Sequence, residues 1–378
     1  MSTLELKEGL EGVVAATTRL SSVDGEAGVL LIAGFPVEDL APVASYEEVT
    51  YLLWNGALPR RDDLDAFRSR LAARRALPEP TLDLLRAAAR QKVAPMDALR
   101  MAAGTLSLAP GAGDGPREDG ALLVAAFPTI VATYWRLLNG QEPVAPRPEM
   151  GHAASYLYLL SGEEPSPERV RGIETYLNTV IDHGLNASTF TARVIVSTRS
   201  DLISAVTGAV GGLKGPLHGG APGPALDMVF EIGSTERAEA VLREKLARGE
   251  RLMGFGHRVY RVRDPRADVL AEAAERFYDN GGDRSLYDLA RSVEATALRV
   301  LHEHKPDRRL DTNVEFYTAL LLHGLGLPVE LFTPTFAVGR AAGWVAHGLE
   351  QLANGRLIRP QSQYVGETDR RWVPVGAR

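Results

Sequence analysis

Gly254-Phe-Gly-His-Arg-Val-Tyr-Arg-Val-Arg-Asp-Pro-Arg266 changes character within one short stretch, and its reading decides the fold. Two glycines lead to His257; glycine tolerates unusual dihedrals and leaves room for a flat ring or a phosphate to approach the backbone. Asp264-Pro265 then reads as a helix start, a capping carboxylate followed by proline at the first helical position. Leu270, Ala274 and Phe277 continue on one face until Asn280-Gly281 stops the helix, so Arg266 falls in its first turn. A proton-handling side chain on a glycine loop is thereby joined directly to a helix.

Working outward, helical signals dominate. Ser45-Tyr-Glu-Glu48 is a capping box ahead of Val49, Leu52 and Leu53, and Asn55-Gly56 supplies the stop. Ser166-Pro167 opens a helix carrying Val170, Ile173, Leu177, Val180 and Ile181, which ends near His183-Gly184. Leu286, Leu289, Val293, Ala297, Val300 and Leu301 mark an amphipathic helix stopping before Pro306, and a last one runs through Phe336, Gly343, Trp344 and Leu352 to Asn354-Gly355. Residues 121–135 form the longest apolar run; it contains Pro128, is too short to span a bilayer and reads as a buried helix. Strand signals are confined to 19–23 and 29–32, a hairpin turning at Asp24-Gly25. The expected fold is mainly α with a small N-terminal β-hairpin. Residues 109–119 read as a loop, and the glycine density of 208–220 suits a hinge.

At 378 residues the chain is longer than one core usually supports, which predicts two domains. With 42 basic and 48 acidic residues, net −6, a general nucleic-acid or anionic-membrane surface is disfavoured, so any anion site must be local. No cysteine is present, which removes disulfides, thiolate metal sites and thiol nucleophiles and fits a cytoplasmic protein. The first residues, Met1-Ser-Thr-Leu-Glu-Leu-Lys-Glu8, lack the basic and apolar regions of a secretory signal.

Two further segments carry proton-handling groups: His218 in Leu213-Lys-Gly-Pro-Leu-His-Gly-Gly220 and Glu315 in Asn313-Val-Glu-Phe-Tyr317. With His257 they make two imidazoles and a carboxylate, the set needed to enolise a thioester and add it to a ketone. From about Leu10 to Gly366 the chain resembles citrate synthase. The resemblance implies an all-helical dimer whose large domain covers 1–216 and 323–378, with a smaller domain over 217–322 and the active site between them. It implies that Glu315 is the base, that His218 hydrogen-bonds the thioester oxygen of acetyl-CoA, and that His257 supports the ketone oxygen of oxaloacetate. It assigns the keto acid to His183, Asn186, Arg266, Phe336, Arg340 and Arg359, the last reaching the partner subunit's site. The CoA adenine falls to Leu252, Gly254, Phe255 and Gly256. No metal and no cofactor is expected, the CoA thioester being a substrate.

Arg258, Arg261 and Arg263 are nearby cations for CoA phosphates, unassigned individually. Glu315 stands where the family usually has aspartate, one methylene shorter, and Pro222-Gly223-Pro224 also departs from the usual pattern. The same parts would serve a 2-methylcitrate synthase acting on propionyl-CoA, and the altered base leaves open a catalytically weak, ligand-binding relative. Isolated histidines in helical proteins are more often structural or exposed, which is the expectation for His152, His302, His304, His323 and His347. Arg340, on an apolar helix face, requires an anionic partner, whether a ligand or a salt bridge.

Overall fold

The computed structural model describes residues 6–219, 222–257, 259–281 and 283–378, without the side chain of residue 222. Helices account for most of it, as the sequence predicts. Ser45 accepts from the Glu48 N–H while Glu48 answers at the Ser45 N–H, and Gly56 adopts the left-handed cap. Ser166 caps Pro167–Val180 and Asp264 caps Pro265–Asp279.

Phe332–Asn354 and Pro116–Leu138 pack together at the centre of the core. Tyr46 Oη donates to the Val338 and Gly339 carbonyls and Trp54 Nε1 to that of Ala342, holding Tyr46–Asn55 across them. Small residues set how closely the helices approach. A Cβ on Gly339 would lie 2.7 Å from Val180 Cγ2, and one on Gly343 only 2.2 Å from the Ile181 carbonyl oxygen. Phe332–Asn354 therefore presses directly onto the C-terminal end of Pro167–Val180, and Arg340 is carried between them.

Four readings change. The hairpin Ser21–Asp24 and Val29–Ile32 gains a third antiparallel strand, Phe35–Pro36, while Arg19 lies outside it. Residues 208–213 form the end of the helix Leu202–Leu213 rather than a glycine-rich loop, and a Cβ on Gly208 would meet Ile195 Cδ1 at 2.3 Å. Those glycines serve close helix packing. Pro116 already begins a helix, so the preceding loop is shorter than composition indicates. That helix, Pro116–Leu138, is long and apolar enough to cross a membrane, yet 78% of its apolar window is buried inside the fold. It is a core helix.

Pro222–Ile232, Thr235–Ala247, Pro265–Asp279, Arg284–His304 and Val314–Gly324 pack chiefly on one another. Pro265–Asp279 also lies along Pro167–Val180, so the two groups of helices meet where Arg266 and Arg340 are found.

Candidate active site

Gly254 and Gly256 have φ of +88° and +78°, and a Cβ on Gly254 would lie 2.9 Å from the Phe316 Cβ. Their freedom lets the loop fold back on 311–313 as a short antiparallel bridge, Phe255 opposite Thr312. Gly256 N–H donates to the Asp311 carbonyl at 2.7 Å and Asn313 N–H to that of Gly254 at 2.9 Å. Asn313 joins the two elements: Nδ2 donates to the Gly256 carbonyl (2.7 Å), while Oδ1 accepts from the Glu315 N–H (3.0 Å) and caps Val314–Gly324. One side chain thus fixes the His257 loop against the helix turn that bears Glu315.

His257 Nδ1 accepts the backbone N–H groups of Val259 (3.0 Å) and Tyr260 (3.1 Å). These donors assign the proton of the neutral ring to Nε2, which faces Arg266 Nη2 at 3.4 Å. Two donors pointing together make a site for an acceptor. Burial and the Arg266 charge hold His257 down at about 4, so the ring is neutral at pH 7. Glu315 moves the other way: burial pushes it up to about 7, against the attraction of Arg266 and with the repulsion of Asp264.

His218 lies in a turn closed by its N–H to the Gly215 carbonyl. The Ser188 backbone N–H donates to Nε2 at 3.4 Å, which leaves the ring proton on Nδ1, and the Ser188 hydroxyl oxygen lies 2.8 Å from the same nitrogen. Burial, then Arg340, lowers His218 to about 4. The Ser188 hydroxyl also accepts from Trp344 Nε1 at 3.1 Å and donates to Asn186 Oδ1 at 2.9 Å. Asn186 itself caps Ala187–Ser197.

The arginines differ in their partners. Buried Arg266 is forked onto Asp264, Nε to Oδ1 at 3.0 Å and Nη2 to Oδ2 at 2.8 Å. Arg340 is 1% exposed, yet among the described residues it has no salt bridge; Nε donates to the Val180 carbonyl and the guanidinium lies 4.7 Å from the Phe336 ring centre. Burial and the Arg266 charge pull Arg340 down to about 10, with Asp182 opposing. His183 Nε2 lies 3.0 Å from Tyr260 Oη, its ring 6.1 Å from that of His257; burial followed by Arg266 and Arg340 keeps it well below the usual imidazole range. The Phe336 ring is 6.5 Å from His218. His218, His257, Glu315 and the two cations therefore share one electrostatic neighbourhood.

Residues 9–361 match the family profile described as "Citrate synthase, C-terminal domain". The chain belongs to the citrate synthase family. It is 43% identical over 99% of both chains to the citrate synthase of Haloferax volcanii, and 39% identical to the 2-methylcitrate synthase of Mycobacterium tuberculosis, over 97% of this chain and 92% of that one. The citrate synthase of Thermoplasma acidophilum, solved as a ternary complex with carboxymethyl coenzyme A and oxaloacetate, superposes with a TM-score of 0.89 at 30% identity, covering 99% of this chain and all of that one.

Other expected citrate synthase residues fall differently. Arg359 is exposed on the extended C-terminal segment, outside this chain's own cluster. Leu252 is buried in the core, and Phe255 tilts against Phe316 with centroids 5.4 Å apart. Arg263 is committed to Asp268 and Glu294, which removes it as a free phosphate cation, and Arg261 gives its N–H to the Gly25 carbonyl at 2.7 Å. Arg258, Gly220 and the first five residues lie outside the described residues. His347 is structural, with Nδ1 accepting from Arg193 Nε (3.0 Å) and Nε2 facing Asp182 Oδ1 (3.1 Å); buried His152 stacks on Tyr46 at 4.5 Å.

Ser188, Tyr260 and Asn313 were not singled out from the sequence. Asn313 had a local signal, since asparagine is a preferred residue at a helix start, whereas Ser188, inside the first turn capped by Asn186, had none of its own. Tyr260 had none, because its hydroxyl meets His183 across residues remote in the chain.

Proposed function

We propose that this protein condenses acetyl-CoA with oxaloacetate, hydrolyses the resulting citryl thioester, and releases citrate and CoA. The carrying observation is that Asn313 joins the loop of His257 to the helix turn of Glu315, bringing a carboxyl raised to about 7 onto the same framework as a neutral His257 whose Nε2–H is aimed beside Arg266. Glu315 takes a methyl proton from the thioester, and His218 Nδ1–H hydrogen-bonds the oxygen that becomes the enol. The enolate carbon attacks the ketone carbon as its C=O π bond opens, His257 Nε2–H supports the oxygen that takes the charge, and the proton removed by Glu315 is returned to the site to complete the new hydroxyl of the citryl thioester. Water then cleaves the thioester.

Arg266 and Arg340 receive the carboxylates of the keto acid, with His183 and Asn186 holding its other polar groups and Phe336 walling the pocket. The adenine of CoA is met by the loop of Leu252, Gly254, Phe255 and Gly256, buried Leu252 through its backbone. The domains divide near 217 and 322, closing around the keto acid first, and two copies form a homodimer in which Arg359 enters the partner's site. The reaction involves no metal or resident cofactor, and the cytoplasm is its setting. The Thermoplasma relative solved with oxaloacetate and a CoA analogue supports this substrate pair.

Thiol release from acetyl-CoA, dependent on oxaloacetate, tests the activity; a purified protein that liberates no thiol with any thioester would remove it. The 2-methylcitrate synthase relative favours a second reading, in which propionyl-CoA is preferred. One methylene changes binding by about 1–3 kcal/mol, so side-by-side kcat/KM values decide between the two.

A further inference from the structure

Glu294, on Arg284–His304, is 4% exposed and takes no part in the chemistry above. Its carboxylate is nonetheless saturated from three separate segments. Oε1 accepts from Arg263 Nη1 (2.7 Å), on the loop after His257, and from Thr312 Oγ1 (2.7 Å), in the bridge preceding Glu315. Oε2 accepts from Tyr317 Oη, on the Glu315 helix, and from Arg291 Nη1 (3.1 Å) on its own helix. Arg291 Nη1 also donates to Tyr317 Oη at 2.7 Å, closing the ring of contacts.

We propose that Glu294 is a positioning residue that sets the distance between the base Glu315 and His257 by clamping their segments to one helix. An isolated buried carboxylate would be strongly disfavoured, but this one has a guanidinium on two sides and two hydroxyls, so it is anchored as an anion. No water-mediated link is needed. Glu315 has no comparable side-chain tether among the described hydrogen bonds, so its placement depends on the backbone around Thr312, Asn313 and Tyr317. Thr312 and Tyr317 are the two residues in that segment whose side chains Glu294 grips.

The inference rests on the condensation reading, and wild-type thiol release in the same assay separates the two: an inert wild type removes the reading, not the clamp. Displacement of about 1 Å at a reacting centre costs on the order of 10²-fold. Glu294→Gln keeps the shape but sets an amide N–H₂ against one of the donors, and is expected to lower kcat about tenfold or more. The KM for oxaloacetate should stay within about twofold, because neither Arg266 nor Arg340 contacts Glu294. The kinetic isotope effect with methyl-deuterated acetyl-CoA should rise above the wild-type value as proton removal becomes limiting, and the pH midpoint of kcat should move with Glu315. Tyr317→Phe and Thr312→Val each remove one hydroxyl while leaving the charge paired, and should reproduce smaller changes of the same kind if Glu294→Gln fails to fold. Folded variants that keep kcat within twofold, with isotope effect and pH midpoint unchanged, would overturn the proposal.

Discussion

At the scale of single residues, the proposed base Glu315 sets the expected pH response. Its carboxyl is raised from 4.5 to about 7, so the basic form accumulates as pH climbs through 7. kcat should rise about tenfold per pH unit below 7 and level above it; His218 and His257, both near 4, remain neutral throughout and add no falling limb. A pH–rate profile with its midpoint near 4.5 would contradict the buried environment of Glu315. The same shift works against the fold: a raised carboxyl stabilises the protein below its unfolded value and that contribution is lost as pH rises through 7, about 3 kcal/mol at the order-of-magnitude level. Glu315→Gln should accordingly melt higher than wild type at pH 8, with the difference vanishing below pH 4.5. Glu315→Asp withdraws the carboxylate by one methylene, and a parallel assay with both thioesters should show kcat falling about tenfold or more if the cleft is fitted to the longer side chain.

At the scale of elements, the N-terminal sheet is tied to the catalytic loop. A Cβ on Gly25 would stand 2.2 Å from the Val259 carbonyl oxygen, and Gly25 accepts the Arg261 N–H. Gly25→Ala should therefore push the hairpin away from the residues that hold His257 Nδ1 and lower kcat between about tenfold and a hundredfold, with the far-UV spectrum unchanged. Retention of full activity would show that the turn does not steer that loop. The helix ends were legible because their signals are local: Ser45, Ser166 and Asp264 cap the helices they were expected to cap. The third strand was not, since Phe35–Pro36 pairs through backbone and carries no alternating pattern. The glycines of 208–213 misled because density alone does not distinguish a flexible segment from a close helix crossing, and only Ile195 opposite Gly208 resolves it.

At the scale of the whole molecule, family membership and helical architecture could be read from separated motifs, whereas the mutual geometry of the candidate site residues could not. The tautomers of His218 and His257 depend on donors from Ser188, Val259 and Tyr260, and the pairing of Arg263 with Glu294 crosses from loop to helix. Arg359 is exposed in the single chain, so its proposed role in a partner's site is a matter for experiment. Mixing Arg359→Ala subunits with subunits inactivated by Glu315→Gln should restore about a quarter to a half of the sites' activity if the arginine serves its neighbour, and hybrid dimers with no recovery would place it in its own site.

The lone Arg340 has a consequence for how the empty protein behaves. A cation enclosed with no ion-pair contact among the described residues, offset only by the more distant charge of Asp182, is a standing defect in the resting fold, and a dicarboxylate is the natural cure, so occupancy and thermal resistance should climb together with the logarithm of oxaloacetate concentration. Arg340→Met, which exchanges the charge for a similar apolar volume, should melt no lower than the unliganded wild type while losing the ligand-dependent rise altogether. Substrate affinity would then be seen as something the protein keeps by forgoing a more comfortable interior.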